Sequence, residues 1–412
     1  KICIHRGTKQ IGGTCIEIEA DGKRLVLDIG LPLDSDWEDV ALPPVKGFIE
    51  RNTDLLGIAI SHPHQDHYGL AKKILQDIPV LIGADARNIL DASREFFPET
   101  VKFRSTIDLK HRQKINLKPF TITPYLMDHS AYDSYGLLVE ACGKRLYYSG
   151  DFRGHGRKGR IFNSFITNPP KNVDVLMMEG STLSRTGIDD TYPEERDLEQ
   201  RLISVINNTK GMTLVWTSAQ NIDRLVTVNR AAKETGRQFI VDIYTAAILR
   251  GIGNPNLPQP GSPGFRVYLP YNLKRNIIKS KKFAFAKSFS RYRIYPENLA
   301  EEASQSVMLC RPSMFLDLEK AKCLHNATLV YSLWAGYLED DYSRQFVEKL
   351  QSLGVPKIHC HTSGHAPIKD LKKMAEAVNP KMLVPVHSFE PDKYQEYFNN
   401  VVQKYDGEWW KV

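Results

Sequence analysis

One short segment constrains this chain more than any other feature. Three imidazoles and a carboxylate fall within six positions of the stretch Ser61-His62-Pro63-His64-Gln65-Asp66-His67, in a chain with 12 histidines among 412 residues. Chance would give this pattern in roughly one such chain in a thousand. In an extended loop, residues two apart project to the same side, so His62 and His64 can bind one cation. Asp66 and His67, one turn later, can face a second, and imidazole with carboxylate favours zinc or manganese.

Two such cations need more ligands than this loop supplies, and we expect the others at later strand ends. Asp128 and His129 follow an apolar strand, and Asp151 follows another. A carboxylate such as Asp151 can bridge two cations about 3.5 to 4 Å apart, which a single imidazole nitrogen cannot do. The pattern therefore predicts a dinuclear metal site.

The composition excludes several other classes of protein. With 42% hydrophobic residues, 25% charged residues and a net charge of +7, the chain is typical of globular proteins. No run approaches the roughly 18 apolar residues of a membrane helix. The six cysteines include no C-x-x-C pair, so we expect reduced thiols and a cytoplasmic location. Because the chain begins at Lys1, we also expect a preceding segment to have been removed.

The pattern of the chain changes near residue 180. Before it, short strands alternate with tight turns such as Asp21-Gly22, and a buried strand at 55–60 leads into a predicted helix at 68–78. After it, amphipathic helices alternate with apolar runs, which indicates a separate α/β domain. The tail carries three more histidines, His361, His365 and His387.

The order of these motifs resembles a known superfamily. His62-x-His64-x-Asp66-His67, followed by His129 and Asp151, resembles the metallo-β-lactamase superfamily, which implies an αββα sandwich with a dinuclear site at its edge. Three further motifs resemble those of the β-CASP nucleases, most closely the ribonuclease J branch: Met178-Glu179-Gly180-Ser181-Thr182, His361-Thr362-Ser363-Gly364-His365-Ala366 and Val384-Pro385-Val386-His387. We therefore predict an α/β fold, with a metallo-β-lactamase domain at 1–185, an inserted β-CASP domain at 186–345 and completion of the first domain by 346–412.

The resemblance also implies a role for each motif residue. One metal would be held by His62, His64, His129 and Asp151, and the other by Asp66, His67, Asp151 and His387. Two Zn²⁺ are expected, with Mn²⁺ as the alternative. A metal-bridging hydroxide, oriented by Asp66, would attack the phosphodiester. His365 would protonate the leaving 3′ oxygen, and Glu179 would hydrogen-bond His365.

Substrate-binding residues are predicted in three places. His361 and Ser363 have family counterparts in a phosphate pocket. The stretch from Ser218 to Arg224 resembles the family's Ser-Asn-Ile-His-Arg sequence, which adds Ser218, Asn221 and Arg224, although Asp223 replaces the usual histidine. The segment 271–293 has eight Lys or Arg, no acidic residue and several aromatic residues. Such a composition favours contacts with a phosphate backbone and its bases, here through Lys281, Lys282 and Arg291.

The leading hypothesis is a two-metal phosphodiesterase that cleaves single-stranded RNA as a 5′–3′ exonuclease, an endonuclease or both. A DNA nuclease is the close alternative, although superfamily members that cut DNA tend to carry an apolar residue in place of His387. A small-molecule hydrolase would need neither the inserted domain nor the tail histidines. A nucleic-acid-binding pseudoenzyme would lack metal ligands that are present here. The expected partners are therefore RNA or DNA and no membrane, with a homo-oligomer left open.

Overall fold

The computed structural model describes residues 1–33, 35–185 and 187–412, which form two compact units. The first unit contains residues 1–91, 99–192 and 364–412, and the second contains residues 92–98 and 193–363. These divisions differ from the expected ones at 185 and 345. The chain returns to the first unit at Gly364 because the strand at Lys357–His359 pairs within the sheet of the second unit.

The first unit contains two β-sheets. The strand order of the first sheet is β19-β1-β2-β3-β4-β5-β6, and that of the second is β18-β11-β10-β9-β8-β7. The strands of the first sheet are β1 Ile2–Arg6, β2 Cys15–Ala20, β3 Lys23–Leu27, β4 Leu55–Ala59, β5 Val80–Gly83, β6 Thr106–Leu109 and β19 Trp409–Trp410. Those of the second are β7 Ile115–Leu117, β8 Phe120–Met127, β9 Ser134–Ala141, β10 Lys144–Tyr148, β11 Val175–Glu179 and β18 Met382–Val386.

These sheets pack face to face, with helices on the outside. Alternation along β3 turns Leu25 and Leu27 towards the second sheet and Val26 towards α2. The outer face of the second sheet packs against Phe162 of α3 and Leu371 of α11. The predicted αββα sandwich is confirmed. Its helices are α1 Gln65–Tyr68, α2 Ala84–Arg94, α3 Gly159–Thr167, α11 Ile368–Val378 and α12 Tyr394–Tyr397.

The second unit is an α/β domain, as expected. Its six strands are all parallel in the order β14-β13-β15-β12-β16-β17. They span β12 Thr213–Trp216, β13 Gln238–Asp242, β14 Phe265–Tyr268, β15 Ser306–Leu309, β16 Thr328–Tyr331 and β17 Lys357–His359. The helices are α4 Glu195–Asn208, α5 Ile222–Glu234, α6 Ile243–Ile252, α7 Tyr271–Lys279, α8 Phe283–Lys287, α9 Phe315–Lys320 and α10 Asp341–Ser352.

The segment that carries the histidine motif departs from the predicted helix at 68–78. The α-helix α1 ends at Tyr68 and a 3-10 turn covers Gly69–Lys73. The backbone of Ile29 explains the break, because it donates to the His67 carbonyl and accepts from Leu70 N–H, at 2.9 and 3.1 Å. The motif is thus fixed to the end of β3. Throughout the described residues, no helix is both long and apolar enough to cross a membrane.

Candidate metal centre

The metal-ligating candidates gather where strand direction brings strand ends together. In the second sheet, β8 and β10 are both antiparallel to β9, while β10, β11 and β18 are mutually parallel. The carboxyl ends of these four strands therefore lie at one edge of the sheet. His129, Asp151 and His387 follow β8, β10 and β18, and Glu179 is the last residue of β11. The histidine motif follows β4 of the first sheet.

Three imidazoles form the first group. One nitrogen from each of His62, His64 and His129 lies within 4.8 Å of the others. The Nδ1 of His64 and the Nε2 of His129 are 3.3 Å apart. His129 Nδ1 is 2.6 Å from the Gly364 carbonyl oxygen, which can only accept, so the ring donates there. This contact leaves the Nε2 lone pair of His129 available for a cation.

Two carboxylates and two imidazoles form the second group. Ligand atoms of Asp66, His67, Asp151 and His387 all lie within 4.8 Å of one another. Asp151 Oδ2 is central, at 3.2 Å from His67 Nε2 and 3.6 Å from His387 Nε2. The same oxygen is 3.7 Å from His62 Nε2 in the first group. Asp151 therefore lies between the two groups, where a bridging ligand would have to be.

The donor atoms fit bound cations better than they fit one another. The Nε2 atoms of His62, His67 and His387, together with both carboxylate oxygens of Asp151, are buried and make no hydrogen bond to any described residue. Buried polar atoms are nearly always partnered, and several unsatisfied acceptors converging on one space indicate a missing cation. Imidazole and carboxylate donors without thiolate suit zinc. The residues present therefore fit a metal centre.

The electrostatics of the two groups differ. Burial lowers the pKa of His62 and of His129 well below the usual value, which keeps both rings neutral, as metal binding requires. Burial also opposes a charge on His67, but the Asp151 and Asp66 carboxylates outweigh it and hold the pKa of that ring well above the usual value. Despite its own burial, Asp151 has a pKa well below the usual value because of the imidazoles of His387 and His67.

His365 and Glu179 lie beside the second group. His365 Nδ1 is 2.9 Å from Glu179 Oε2, so the hydrogen bond expected between them is present. Burial favours neutral His365, but Glu179 and then Asp151 raise its pKa to about 9. Glu179 is fixed in turn by Phe152 N–H at 2.9 Å and Ser181 Oγ at 2.7 Å. A protonated imidazole is thereby held next to the candidate metal ligands.

Sequence reasoning missed the carboxylate that orients His67. Asp28 Oδ2 is 2.8 Å from His67 Nδ1 and accepts from the Tyr148 hydroxyl at 2.7 Å. Ser61 donates to Asp28 through both its N–H and its hydroxyl, at 2.7 and 2.8 Å. The signal was available, because Asp28 follows an apolar strand just as Asp151 does.

The candidates of the second unit have other contacts. Asn221 caps α5 by accepting from Arg224 N–H at 3.1 Å, and the Ser218 hydroxyl accepts from Gln220 N–H at 3.2 Å. His361 has a pKa lowered to about 3, first by burial and then by Arg224, and its Nδ1 has no hydrogen-bond partner among the described residues. His361 and Ser363 end this unit, close in sequence to Gly364, where the first unit resumes.

Arg224 and Lys282 do not occupy the positions expected of phosphate ligands. The Arg224 side chain is fully buried, and its guanidinium binds the Glu195 carboxylate at 3.0 Å and the Ser332 hydroxyl. Lys282 Nζ binds the Glu95 carboxylate at 3.1 Å and the Glu95 carbonyl at 2.8 Å. Both cations are already neutralised by protein groups. Lys281 and Arg291 remain exposed, as expected.

Comparison with known proteins gives a consistent result. Two family models match, the beta-lactamase superfamily domain over residues 33–192 and the Zn-dependent metallo-hydrolase RNA specificity domain over residues 355–408. The ribonuclease J of Mycoplasma pneumoniae is 22% identical over 94% of this chain and 67% of its own length. That of Sinorhizobium meliloti is also 22% identical, over 85% of this chain and 60% of its own length. A crystal structure of an Enterococcus faecalis V583 protein of unknown function matches 99% of this chain and 98% of its own chain, with a TM-score of 0.76 and 20% identity, which shows the fold alone.

The αββα fold, the clustered histidines and the two family models together define a metal-dependent hydrolase of the metallo-β-lactamase superfamily. Within that superfamily the chain is a ribonuclease J-like nuclease of the β-CASP type, since the similarity to ribonucleases J covers most of its length.

Proposed function

We propose that this chain is a two-metal phosphodiesterase that hydrolyses single-stranded RNA, as a 5′–3′ exonuclease, an endonuclease or both. One observation carries the proposal: two groups of ligand atoms with buried, unsatisfied donors lie on either side of Asp151. The match to an RNA specificity domain supports RNA as the substrate class.

The proposed ligands are divided between two ions that share Asp151. The first group, with Asp151, would hold one ion, and the second group would hold the other. Two bound divalent ions would supply a hydroxide nucleophile near neutral pH and offset negative charge on the phosphate. Zinc is the proposed metal and manganese the alternative.

The side chains that solvent can reach are those to which we assign proton transfer. His67, Asp151 and His387 have side chains no more than 1% exposed, whereas Asp66 is 17% and His365 is 25% exposed. A cavity of about 370 Å³, lined partly by Pro32, Gln65 and Asp66, opens onto the Asp66 carboxylate. Asp66 would accept a hydrogen bond from the attacking water and so orient it.

His365 would then donate its proton to the leaving 3′ oxygen. Its Nδ1 is occupied by Glu179, so Nε2 is the nitrogen left to donate. Glu179 favours the charged imidazole before transfer and fixes the ring plane during it. Because Glu179 acts through His365, we assign it a positioning role.

The test is metal analysis combined with cleavage of 3′-labelled RNA that carries either a 5′-monophosphate or a 5′-hydroxyl. We expect about two divalent ions per chain and cleavage that Asp66→Ala reduces by at least about 100-fold. Asp54→Ala, an exposed carboxylate paired with Lys23, is the matched control and should cut normally. Preference for the 5′-monophosphate with mononucleotide release would establish the exonuclease, and internal cuts on both substrates the endonuclease.

Two results would contradict the proposal. Full activity in Asp66→Ala would mean that the catalytic roles are misassigned. Purified chain that binds RNA but neither metal nor cuts would be the pseudoenzyme, while faster turnover of a matched DNA oligonucleotide would make DNA the substrate.

A further inference from the structure

The helical hairpin formed by α7 and α8, residues 271–287, presents an unusual surface on the second unit. It is held by few contacts: Ile277 is 4% exposed, and Lys282 binds Glu95. The opposite face of α7 is open, with Tyr271 59% and Ile278 52% exposed, and Phe283 at the start of α8 is 57% exposed. We call residues 271–287 the basic hairpin.

Its exposed cations have no protein counter-charge. The segment contains no Asp or Glu. Apart from Lys282, none of its cations forms an ion pair with a described residue, in contrast with Arg230, which pairs with Glu199 elsewhere in the same unit. The five unneutralised cations, all exposed, are Lys274, Arg275, Lys279, Lys281 and Lys287. Their mutual repulsion is unfavourable unless an anionic partner offsets it.

Aromatic rings lie among these charges. On α7, residues three, four and seven apart share a face, so Lys274, Arg275 and Ile278 surround the Tyr271 ring. The Arg275 guanidinium lies 6.0 Å from the centre of that ring. An exposed ring beside cations can stack on a base while the cations contact the adjoining phosphates.

We propose that the basic hairpin binds single-stranded RNA, with its cations on the backbone and Tyr271 and Phe283 stacked on bases. The inference rests on the proposed RNA substrate and adds a binding surface to it. A duplex fits less well, because its bases are stacked on one another. An anionic membrane also fits less well, because the apolar side of α7 packs inward through Ile277, and only separated apolar residues are exposed.

The charge contribution can be tested by the salt dependence of binding. In an Asp66→Ala background, which prevents cleavage, the triple variant Lys274→Glu, Arg275→Glu, Lys279→Glu should bind single-stranded RNA more weakly. The slope of log K against log salt should fall by about 2, at about 0.7 per lost contact. The control triple Lys210→Glu, Lys233→Glu, Lys357→Glu makes the same charge change at exposed positions of the same unit and should keep the slope.

The aromatic contribution needs a second measurement. Tyr271→Ala combined with Phe283→Ala should weaken binding of single-stranded RNA roughly tenfold and leave binding of duplex RNA unchanged. Tyr342→Ala, a 60% exposed tyrosine of α10, is the control and should change neither affinity.

An unchanged salt slope in the hairpin triple would overturn the inference, as would an equal loss in the control triple. So would a triple that keeps its RNA affinity but no longer binds vesicles rich in phosphatidylserine, since the hairpin would then be a membrane surface. Failure of the proposed function is distinguishable, because it shows as absent cleavage by the wild-type chain, whatever the binding result.

Discussion

His67 and His129 illustrate how single hydrogen bonds prepare an imidazole for a metal. The Nδ1 of each ring lies within 2.8 Å of an oxygen atom, of Asp28 and of Gly364 respectively. A ring that donates from Nδ1 presents the Nε2 lone pair, and the partner oxygen also fixes the ring plane. Asp28 does this from a backbone with φ of 56°, a left-handed conformation that directs its carboxylate towards Ser61, His67 and Tyr148.

Asp28→Asn should therefore weaken metal binding while leaving the fold intact. The amide can no longer accept as a charged partner of His67, and loss of such outer contacts typically costs 10- to 100-fold in metal affinity or activity. Titration of the metal-free chain with zinc measures the effect. Tyr148→Phe removes one donor to the same carboxylate and should cost much less; equal losses would mean that Asp28 acts through Tyr148 and not through His67.

Glu179→Gln should slow cleavage only when His365 is present. The neutral amide removes the charge that favours protonated His365, so the single-turnover rate should fall at least about tenfold. In a His365→Ala background the same change should cost less than about twofold, because both residues act as one unit. Ser181→Ala, which removes a donor to Glu179 and keeps its charge, is the control. Additive losses would contradict the assigned role.

At the scale of an element, the first turn of α5 shows why a motif residue need not be a ligand. Asn221 caps the helix, and Arg224, three residues later, is turned inward to Glu195 of α4. Thr227, one turn further on, donates to the same carboxylate at 2.8 Å. This buried network joins α4 to α5, and it uses the whole guanidinium.

Arg224→Leu should consequently destabilise the second unit. It leaves the Glu195 carboxylate buried without its cation, a loss of about 3 to 5 kcal/mol in the free energy of unfolding. Denaturation by urea, followed by a probe in the second unit such as Trp216, measures it. Adding Glu195→Leu should recover part of the loss. Unchanged stability together with weaker RNA binding would restore Arg224 as a substrate contact.

For the molecule as a whole, the metal centre joins distant parts of the chain. Its ligands follow strands β4, β8, β10 and β18, which are separated by more than 300 residues along the sequence. Ions bound at these ligands would tie both sheets of the first unit together. Binding to the folded state alone stabilises it by mass action, by about 2.7 kcal/mol at 100 times the Kd.

Removal of metal with EDTA should accordingly lower the Tm of the chain, and zinc should restore it. Without the ions, the imidazoles and Asp151 are left buried and unsatisfied. Differential scanning calorimetry with and without zinc provides the measurement, and Asp151→Ala should lose most of the zinc-dependent rise. An equal rise in that variant would place the stabilising zinc somewhere else.

The sequence by itself determined the αββα sandwich, the α/β character of the inserted region and the set of residues that meets at the centre. These follow from local signals: strand periodicity, a dense histidine motif and polar residues placed directly after apolar strands. His62, His129, Asp151 and His387 could be grouped in this way because the carboxyl ends of similarly directed strands meet at one edge.

Only the tertiary structure decided which polar groups remain available. Asp28, Arg224 and Lys282 carry no local mark that separates a ligand from a supporting residue, because their roles depend on partners far away in sequence: His67 for Asp28, Glu195 for Arg224 and Glu95 for Lys282. The return of the chain at Gly364 depended likewise on the pairing of β17 with β16. Burial and pairing are set by contacts between distant segments, and a local pattern does not contain them.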